Sequence, residues 1–379
     1  MRSIALDWIG RNYLRKPMHR LVAPYLGRRH GARSGQRVRI YYAPNKISFS
    51  QVFPFLFYGD ALRRDHGIDI RIEPVDPLLE GTASPTPDAE TVILQTWFTV
   101  DHDRIRSALD RISAASPNAK IVFFDSFAHN DLRLAKVLDP YISLYVKKSL
   151  FRDRELYFRP FRGDTNLTEY YNDLYGIEAA PVDWQVPRSI LSKLRTGPGF
   201  FTGPGLIRNF AGDGPPPAQG RDIDVHARLG AKGDGWYGQM RRDSLAKLHA
   251  IPGLTVASQG SVDWTAYMDE LRRSKFCFSP FGFGELCWRD IEAFMTGAVL
   301  IKPDMSHLET QPDLFEPWVT YVPVKWDFSD LEEVIGQVAS DSDRQARIAQ
   351  EAFNRIAQPL QDGDILECLG AMIQAGYSI

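Results

Sequence analysis

Residues 274–303 read SKFCFSPFGFGELCWRDIEAFMTGAVLIKP and predict a strand, a glycine-rich turn, a helix and a second strand. The first strand covers Lys275–Ser279, where β-prone side chains alternate, and Pro280 ends it. In the turn Phe281-Gly282-Phe283-Gly284 the glycines allow the backbone to approach a ligand closely. We therefore expect ligand chemistry at this turn.

The helix is predicted from Glu285 to Gly297, a residue type that often ends helices, and an apolar strand follows over residues 298–301. One stripe of the helix is apolar and is expected to face the sheet: Cys287, Ile291 and Phe294. The opposite stripe is charged: Glu285, Arg289 and Glu292. One interpretation of this stripe is a solvated face with a Glu285–Arg289 ion pair. The other is part of an anion-binding site, because a helix N-terminus offers free N–H groups to an anion.

Two parts of this stretch resemble a known family. Gly284-Glu285, followed by EAFMTGAVLI at residues 292–301, resembles the nucleotide-sugar signature in the C-terminal domain of GT-B glycosyltransferases. Residues 289–293, RDIEA, are similar to the Arg-x-x-(Asp/Glu)-Ala segment of exostosin-like members. Six residues separate Glu285 from Glu292, where retaining members usually have seven, so the stereochemistry of transfer does not follow.

The resemblance implies an α/β protein with two Rossmann-like parallel-sheet domains that face each other across a cleft. It also implies sugar transfer from a nucleotide-diphosphate donor, a co-substrate rather than a bound cofactor. In such families the second acidic residue holds the donor ribose, which carries over to Glu292, and a basic pair after the first strand of the second domain contacts the diphosphate. The donor-binding residues implied in this way are Arg228, Lys232, Phe283, Gly284, Glu285, Arg289, Glu292, Lys302 and Glu309.

A catalytic base is sought at the acceptor side, because an inverting transfer needs a carboxylate or imidazole near the acceptor hydroxyl. Asp125 follows the predicted buried strand Lys120–Phe124 at its carboxyl end. His129 and Asp131 stand close behind it with an equal claim. The alternative for Asp125 is a structural cap of the next turn.

No metal site is predicted. Asp101-x-Asp103 and Asp222-x-Asp224 both have the Asp-x-Asp pattern, but Asp103 suits a helix N-cap and the second pair brackets the start of a strand. Arg, Lys and backbone N–H groups can stabilise a departing diphosphate without a metal. We therefore expect metal-independent transfer.

The composition is that of an ordinary soluble protein. Of 379 residues, 44% are hydrophobic and 24% are charged, and the net charge of −2 argues against a dedicated nucleic-acid binder. Three cysteines give neither a disulfide framework nor zinc spacing, which favours a reducing compartment such as the cytoplasm.

The N-terminal segment 1–36 is strongly basic. Residues 1–37 hold nine Arg or Lys and a single acid, Asp7, without the continuous apolar run of a signal peptide or membrane span. One interpretation is a helix packed on the domain or a disordered tail. The other is contact with an anionic membrane surface, which would make the protein peripheral on the inner face of the membrane.

The rest of the chain alternates strands and helices twice, as in two parallel-sheet units. We predict an acceptor-side domain over residues 37–211, a Pro/Gly linker over 212–221 and a nucleotide-sugar-binding domain over 222–342. The C-terminal helices within 343–379 are expected to cross back to the first domain, as in GT-B proteins.

These observations predict a glycosyltransferase of polysaccharide biosynthesis that acts on a glycan or lipid-linked saccharide acceptor. One alternative is a nucleotide-sugar epimerase on the same fold. Another is a non-catalytic GT-B-like protein that binds a glycan or a partner, since fold does not fix function.

Overall fold

The computed structural model describes residues 22–26, 30, 35–212, 214–217 and 220–374. Most of the basic N-terminal segment lies outside these residues, and so does the membrane contact predicted for it. Within the described part of the chain, no helix has both the length and the apolar composition needed to cross a bilayer.

Among the described residues, nine strands belong to the first domain, and six of them form one parallel sheet in the order β2-β1-β3-β4-β5-β9. Outside this sheet, β7 and β8 form an antiparallel pair of their own. The strands are β1 Gln36–Tyr42, β2 Ile68–Pro74, β3 Thr91–Leu94, β4 Lys120–Asp125, β5 Leu144–Lys147, β6 Leu150–Phe151, β7 Phe161–Arg162, β8 Pro181–Val182 and β9 Leu194–Thr196. Every residue of β3 and β5 is buried, as expected for strands covered on both faces.

Helices cover this sheet. They are α1 Lys46–Phe57, α2 Gly59–His66, α3 Asp76–Leu79, α4 His102–Ala115, α5 Ala135–Leu138 and α6 Asn166–Leu174, with short 3₁₀ turns at Ala23–Tyr25, Arg154–Phe158, Arg188–Lys193, Phe200–Thr202 and Ile207–Ala211. The first two helices are separated at Tyr58. Gly59, a poor helix former, opens the second one.

The second domain contains a five-stranded parallel sheet in the order β11-β10-β12-β13-β15. The strands of this domain are β10 Ile223–His226, β11 Val256–Ala257, β12 Ser274–Phe278, β13 Val299–Pro303, β14 Leu308–Glu309 and β15 Val322–Val324, of which β14 lies outside the sheet. Its helices are α7 Trp236–Ala250, α8 Trp264–Arg272, α9 Trp288–Thr296 and α10 Leu331–Ala339. The predicted architecture of two parallel-sheet α/β units is confirmed.

Helix α9 begins at Trp288, three residues later than predicted. Cys287 has an extended backbone and serves as the N-cap, and its N–H donates to the Asp290 carboxylate over 2.8 Å. Residues 282–287 therefore stay in an irregular turn before the helix. The predicted end is correct: Gly297 has a left-handed backbone with φ of 70°.

The two domains are held together at several points. Strand β14 pairs antiparallel with β6 of the first domain. The Tyr171 hydroxyl donates to the Trp326 carbonyl over 2.8 Å, and the Tyr171 ring stacks on Trp236 at 5.9 Å. The last helices, α11 Ser342–Gln361 and α12 Asp364–Gln374, return to the first domain, where Gln36 donates to the Ile373 carbonyl over 3.3 Å.

Candidate functional site

An open cavity of about 510 Å³ lies between the two domains. The first domain contributes Ile47, Ala128 and Phe200 to its wall. The second domain contributes most of the wall: Arg241, Val262, Trp264, Tyr267, Gly282, Phe283, Gly284, Leu286, Cys287, Trp288, Arg289 and Glu292. The glycine-rich turn and two residues of the charged stripe, Arg289 and Glu292, thus border the same cleft.

The glycine-rich turn lies directly against the first domain. A Cβ atom on Gly284 would lie only 2.0 Å from the carbonyl oxygen of Ala128, so no other residue fits without a shift of the backbone. Ala128 follows β4 and Gly284 follows β12, so the carboxyl ends of both sheets meet here. This is where ligands bind in open α/β sheets.

Gly284→Ala is expected to destabilise the protein by about 1–3 kcal/mol, the typical cost of overpacking, because the domains must separate to admit the methyl group. Thermal unfolding measures the effect. The control is Gly336→Ala in α10, where a Cβ meets open space and the better helix propensity of Ala should raise the melting temperature slightly. Equal melting temperatures for the two variants would contradict the close contact.

Glu292 lines the cavity, although only 6% of its surface is exposed. The Tyr267 hydroxyl donates to its Oε2 atom over 2.7 Å and fixes the carboxylate. Burial raises the pKa of Glu292 and outweighs the opposing effects of Tyr267 and of Arg289. The position suits a carboxylate that accepts hydrogen bonds from a ligand hydroxyl.

Because the pKa of Glu292 is raised, we expect a ligand held by its carboxylate to bind more weakly as the pH falls through that pKa. Protonation removes acceptor capacity as the pH falls through the raised pKa, which lies above the range of an exposed Glu. Titrations of a nucleoside diphosphate over this range test the effect. Glu292→Gln is expected to bind more weakly at neutral pH and to lose this component of the pH dependence. An unchanged profile in that variant would contradict the assignment.

Two arginines without a carboxylate partner lie at the cavity wall. Arg241 of α7 has 5% of its surface exposed, and its guanidinium donates only to the carbonyls of Phe281 and Gly230, at 3.3 Å. Arg289 of α9 reaches Ser279 Oγ at 3.4 Å and the Arg228 carbonyl at 3.5 Å, and its buried Nε atom has no hydrogen-bond partner among the described residues. Neither arginine forms a salt bridge with any residue that the structure describes.

This pair brings two positive charges to a cavity wall that also holds the Glu292 carboxylate. Burial, and next the charge of Arg289, lower the pKa of Arg241, as expected for two cations that share a poorly solvated region. The N-terminus of α9 adds the positive end of its helix dipole beside them. An anion bound here would neutralise both guanidinium groups.

An indole ring is exposed at the other side of the cavity. Trp264 has 59% of its surface exposed and stacks on Tyr267, with ring centroids 5.6 Å apart and planes at 17°. Both rings line the cavity together with Glu292. The arrangement places a flat apolar surface next to a hydrogen-bond acceptor.

Sequence reasoning missed Arg241, Trp264 and Tyr267. None of them lies in a sequence motif. They could have been found from their position in the chain, because Arg241 lies on α7, which follows β10, and Trp264 and Tyr267 lie on α8, which follows β11. The distances across the cavity come only from the fold.

Other predicted donor residues have partners of their own. Arg228 forms a two-pronged salt bridge with Glu270, with Nη2–Oε1 at 2.6 Å, so its charge is already neutralised. Lys302 is buried and lies 3.1 Å from the Asp290 carboxylate. Glu309 pairs with Arg154 of the first domain. None of these side chains lines the cavity, and their donor-binding roles stay predictions.

Lys232 and Glu285 differ from that group. Lys232 is exposed in the loop after β10 and does not line the cavity. Glu285 is buried and its carboxylate lies 3.8 Å from His307 Nε2. In the described part of the chain neither carboxylate oxygen has a hydrogen-bond partner. The alternative of a Glu285–Arg289 ion pair is wrong, because α9 begins after Glu285 and the helical spacing does not apply.

The Asp125 carboxylate is fully engaged inside the first domain. It accepts hydrogen bonds from Lys147 Nζ at 2.7 Å, from the Tyr145 hydroxyl at 2.8 Å and from the Phe127 N–H at 2.8 Å. Burial opposes ionisation, but the charge of Lys147 and the hydrogen bonds from Lys147, Phe127 and Tyr145 together outweigh it and lower the pKa of Asp125. This arrangement favours the structural alternative over a catalytic base.

His129 lies nearer to the cavity. Its Nδ1 atom is 3.3 Å from Asp164 Oδ2, and its ring stacks on Phe283 of the glycine-rich turn with centroids 4.5 Å apart. Asp131 instead pairs with Arg133 at 2.7 Å. Of the three candidates for a base, His129 is the one next to a residue that lines the cavity.

Comparisons with known proteins bear on the fold. No protein-family model and no curated protein sequence matches the chain. The chain resembles a solved alpha-glucosyltransferase in complex with UDP and a 13-mer DNA, with a TM-score of 0.52 and 11% identity over 90% of this chain and 100% of that one. The chain has the GT-B fold.

A second structure supports this assignment. It is an alpha-glucosyltransferase in complex with UDP-glucose and DNA, with a TM-score of 0.51 and 10% identity over 89% of this chain and 99% of that one. A glycosyltransferase from Rickettsia africae overlaps less, with a TM-score of 0.47 and 10% identity over 90% of this chain and 99% of that one. At such identities the likeness establishes the GT-B fold alone.

Proposed function

We propose that the protein is a glycosyltransferase that moves a sugar from a nucleoside-diphosphate donor in the second domain to an acceptor at the first. The observation that carries the proposal is the pair Arg241 and Arg289, two guanidinium groups that lack a carboxylate partner within the described part of the chain and face the interdomain cavity. Arg241 is buried, and a buried charge without a paired carboxylate is costly, which argues that a ligand supplies the anion.

The other cavity residues fit the remaining parts of such a donor. Trp264 offers a stacking surface for the nucleobase, and Glu292, fixed by Tyr267, accepts hydrogen bonds from the ribose hydroxyls. The diphosphate would lie between the two guanidinium groups and the N-terminus of α9. The two structures of like fold contain UDP or UDP-glucose, which supports this class of donor.

The arrangement suits a transfer driven by charge stabilisation. When the bond from the sugar carbon to the diphosphate oxygen breaks, its electron pair stays on the phosphate, and the guanidinium groups stabilise that charge. The acceptor oxygen forms the new bond to the sugar carbon and loses its proton to a base. His129 is the candidate base, and Asp164 would orient its ring.

Within the described residues, no group of three or more His, Cys, Asp or Glu side chains converges as a metal site would require. Metal-independent transfer is part of the proposal, because two arginines and helix N–H groups provide the positive charge that a metal would otherwise supply. Activity in the presence of a chelator tests this point.

Release of a nucleoside diphosphate from a panel of nucleotide sugars tests the proposed function. Slow hydrolysis of one donor without an acceptor is expected, and addition of the acceptor should convert it into transfer. Recovery of an intact nucleotide sugar with an inverted sugar centre would instead support an epimerase. No turnover of any donor, despite nucleotide binding, would support a non-catalytic binding protein.

A further inference from the structure

A row of aromatic rings leads from the donor cavity across the first domain. Phe283, with 50% of its surface exposed, stacks on His129 at 4.5 Å. The His129 ring contacts Phe127 at 4.9 Å, and Phe127 in turn stacks on the partly exposed Phe98 with centroids 3.8 Å apart. We refer to Phe98, Phe127, His129 and Phe283 as the aromatic platform. Its two ends, Phe283 and Phe98, present ring surface to the outside, whereas Phe127 and His129 are buried between them and hold them in place.

Hydrogen-bond acceptors flank the platform. Asp164 keeps 36% of its side chain exposed while it contacts His129 at 3.3 Å and Arg133 at 3.2 Å. Arg133 lies over the Phe127 ring, 4.1 Å from its centre, and also pairs with Asp131 at 2.7 Å. Because two carboxylates neutralise this arginine, it has no charge left over for a phosphate group.

We propose that the aromatic platform and Asp164 bind a sugar ring of a saccharide acceptor, an inference that rests on the proposed donor site. The apolar C–H face of a sugar packs on aromatic rings, and its hydroxyl groups donate to a carboxylate. Phe283 itself lines the donor cavity, between Gly282 and Gly284. A sugar stacked there presents a hydroxyl to the donor.

The charges at the platform separate this acceptor class from nucleic acid. Bases also stack on aromatic rings, but nucleic-acid binding depends on cations that neutralise phosphates. The cation of this platform, Arg133, is already paired with Asp131 and Asp164. The two alpha-glucosyltransferase structures of like fold contain DNA, so the distinction is a specific claim about this chain.

The test compares two platform variants with a matched control. Phe98→Ala removes the outer ring, Asp164→Asn removes the carboxylate charge, and Phe57→Ala removes a partly exposed phenylalanine of α1 outside the platform. The readouts are retention on an array of printed oligosaccharides, binding of a 13-mer DNA duplex and titration with UDP, GDP, ADP and TDP. Thermal unfolding verifies that each variant is folded.

The wild type is expected to retain at least one class of oligosaccharide. Both platform variants should lose about tenfold in that affinity, equivalent to about 1.4 kcal/mol, and Phe57→Ala should lose none. Phe98→Ala should keep the nucleotide affinity of the wild type, because Phe98 does not line the donor cavity.

Three results would overturn the saccharide proposal: no saccharide retained by a wild type that binds nucleotide, equal retention by Phe98→Ala and Phe57→Ala, or DNA binding that depends on Phe98. A different result bears on the proposed function alone. Saccharide retention that depends on Phe98, in a wild type that binds none of the four nucleotides, would keep the platform and contradict the donor site.

Discussion

Replacement of Arg241 or Arg289 with Ala is expected to weaken binding of a nucleoside diphosphate by about ten- to a hundredfold. Each guanidinium would lose charge-assisted hydrogen bonds to phosphate, and such bonds contribute about 1.5–3 kcal/mol. The two arginines influence each other, so the losses of the single variants should not simply add in the double variant. Calorimetric titration without added metal measures all three affinities.

Two further arginines sharpen this experiment. Arg242 follows Arg241 on α7 but is exposed, so Arg242→Ala is the matched control and should bind as the wild type does. Arg228 was predicted from the sequence to contact the diphosphate, whereas the structure pairs it with Glu270. A larger loss from Arg228→Ala than from Arg241→Ala would contradict the site described here and restore the sequence-based assignment.

Asp125→Ala is expected to destabilise the protein by about 3–5 kcal/mol, because it leaves the buried ammonium of Lys147 without its partner. Urea unfolding measures the change. The exposed pair Asp103–Arg106 is the control, since removal of a surface ion pair costs at most about 1 kcal/mol. Lys147→Met in the Asp125→Ala background should restore part of the stability by removing the unpaired charge.

The pKa of Asp125 gives this prediction a pH dependence. Its pKa in the folded protein is lowered, so its contribution to stability is present above the unfolded value of about 3.9 and is lost as the pH falls through the folded value. The wild type should lose this contribution in strong acid, and Asp125→Ala should not. A variant as stable as the wild type would reopen the case for Asp125 as a base.

The local part of the site could be predicted from the sequence. The turn at residues 281–284 and Glu292 lie within thirty residues of continuous chain, and both line the cavity. The alternation of strands and helices predicted two parallel sheets, which the structure confirms. Patterns of this kind depend on neighbours along the chain and need no tertiary information.

The partners of charged residues could not be predicted, because they come from distant parts of the chain. Glu270 is 42 residues from Arg228 and neutralises it, and Arg241 reaches a carbonyl 40 residues away. The start of α9 was also misplaced, since Cys287 is an uncommon N-cap and Glu285 looks like a first-turn acid. Which cation remains unpaired is a property of the folded protein.

A crystal structure of the protein after separate soaks with UDP, GDP, ADP and TDP tests the central claim most directly. One of the four is expected to occupy the interdomain cavity, with its diphosphate between Arg241 and Arg289, its ribose at Glu292 and its base on Trp264. A nucleotide bound elsewhere, or a cavity left empty by all four, would contradict the donor site and with it the proposed glycosyl transfer.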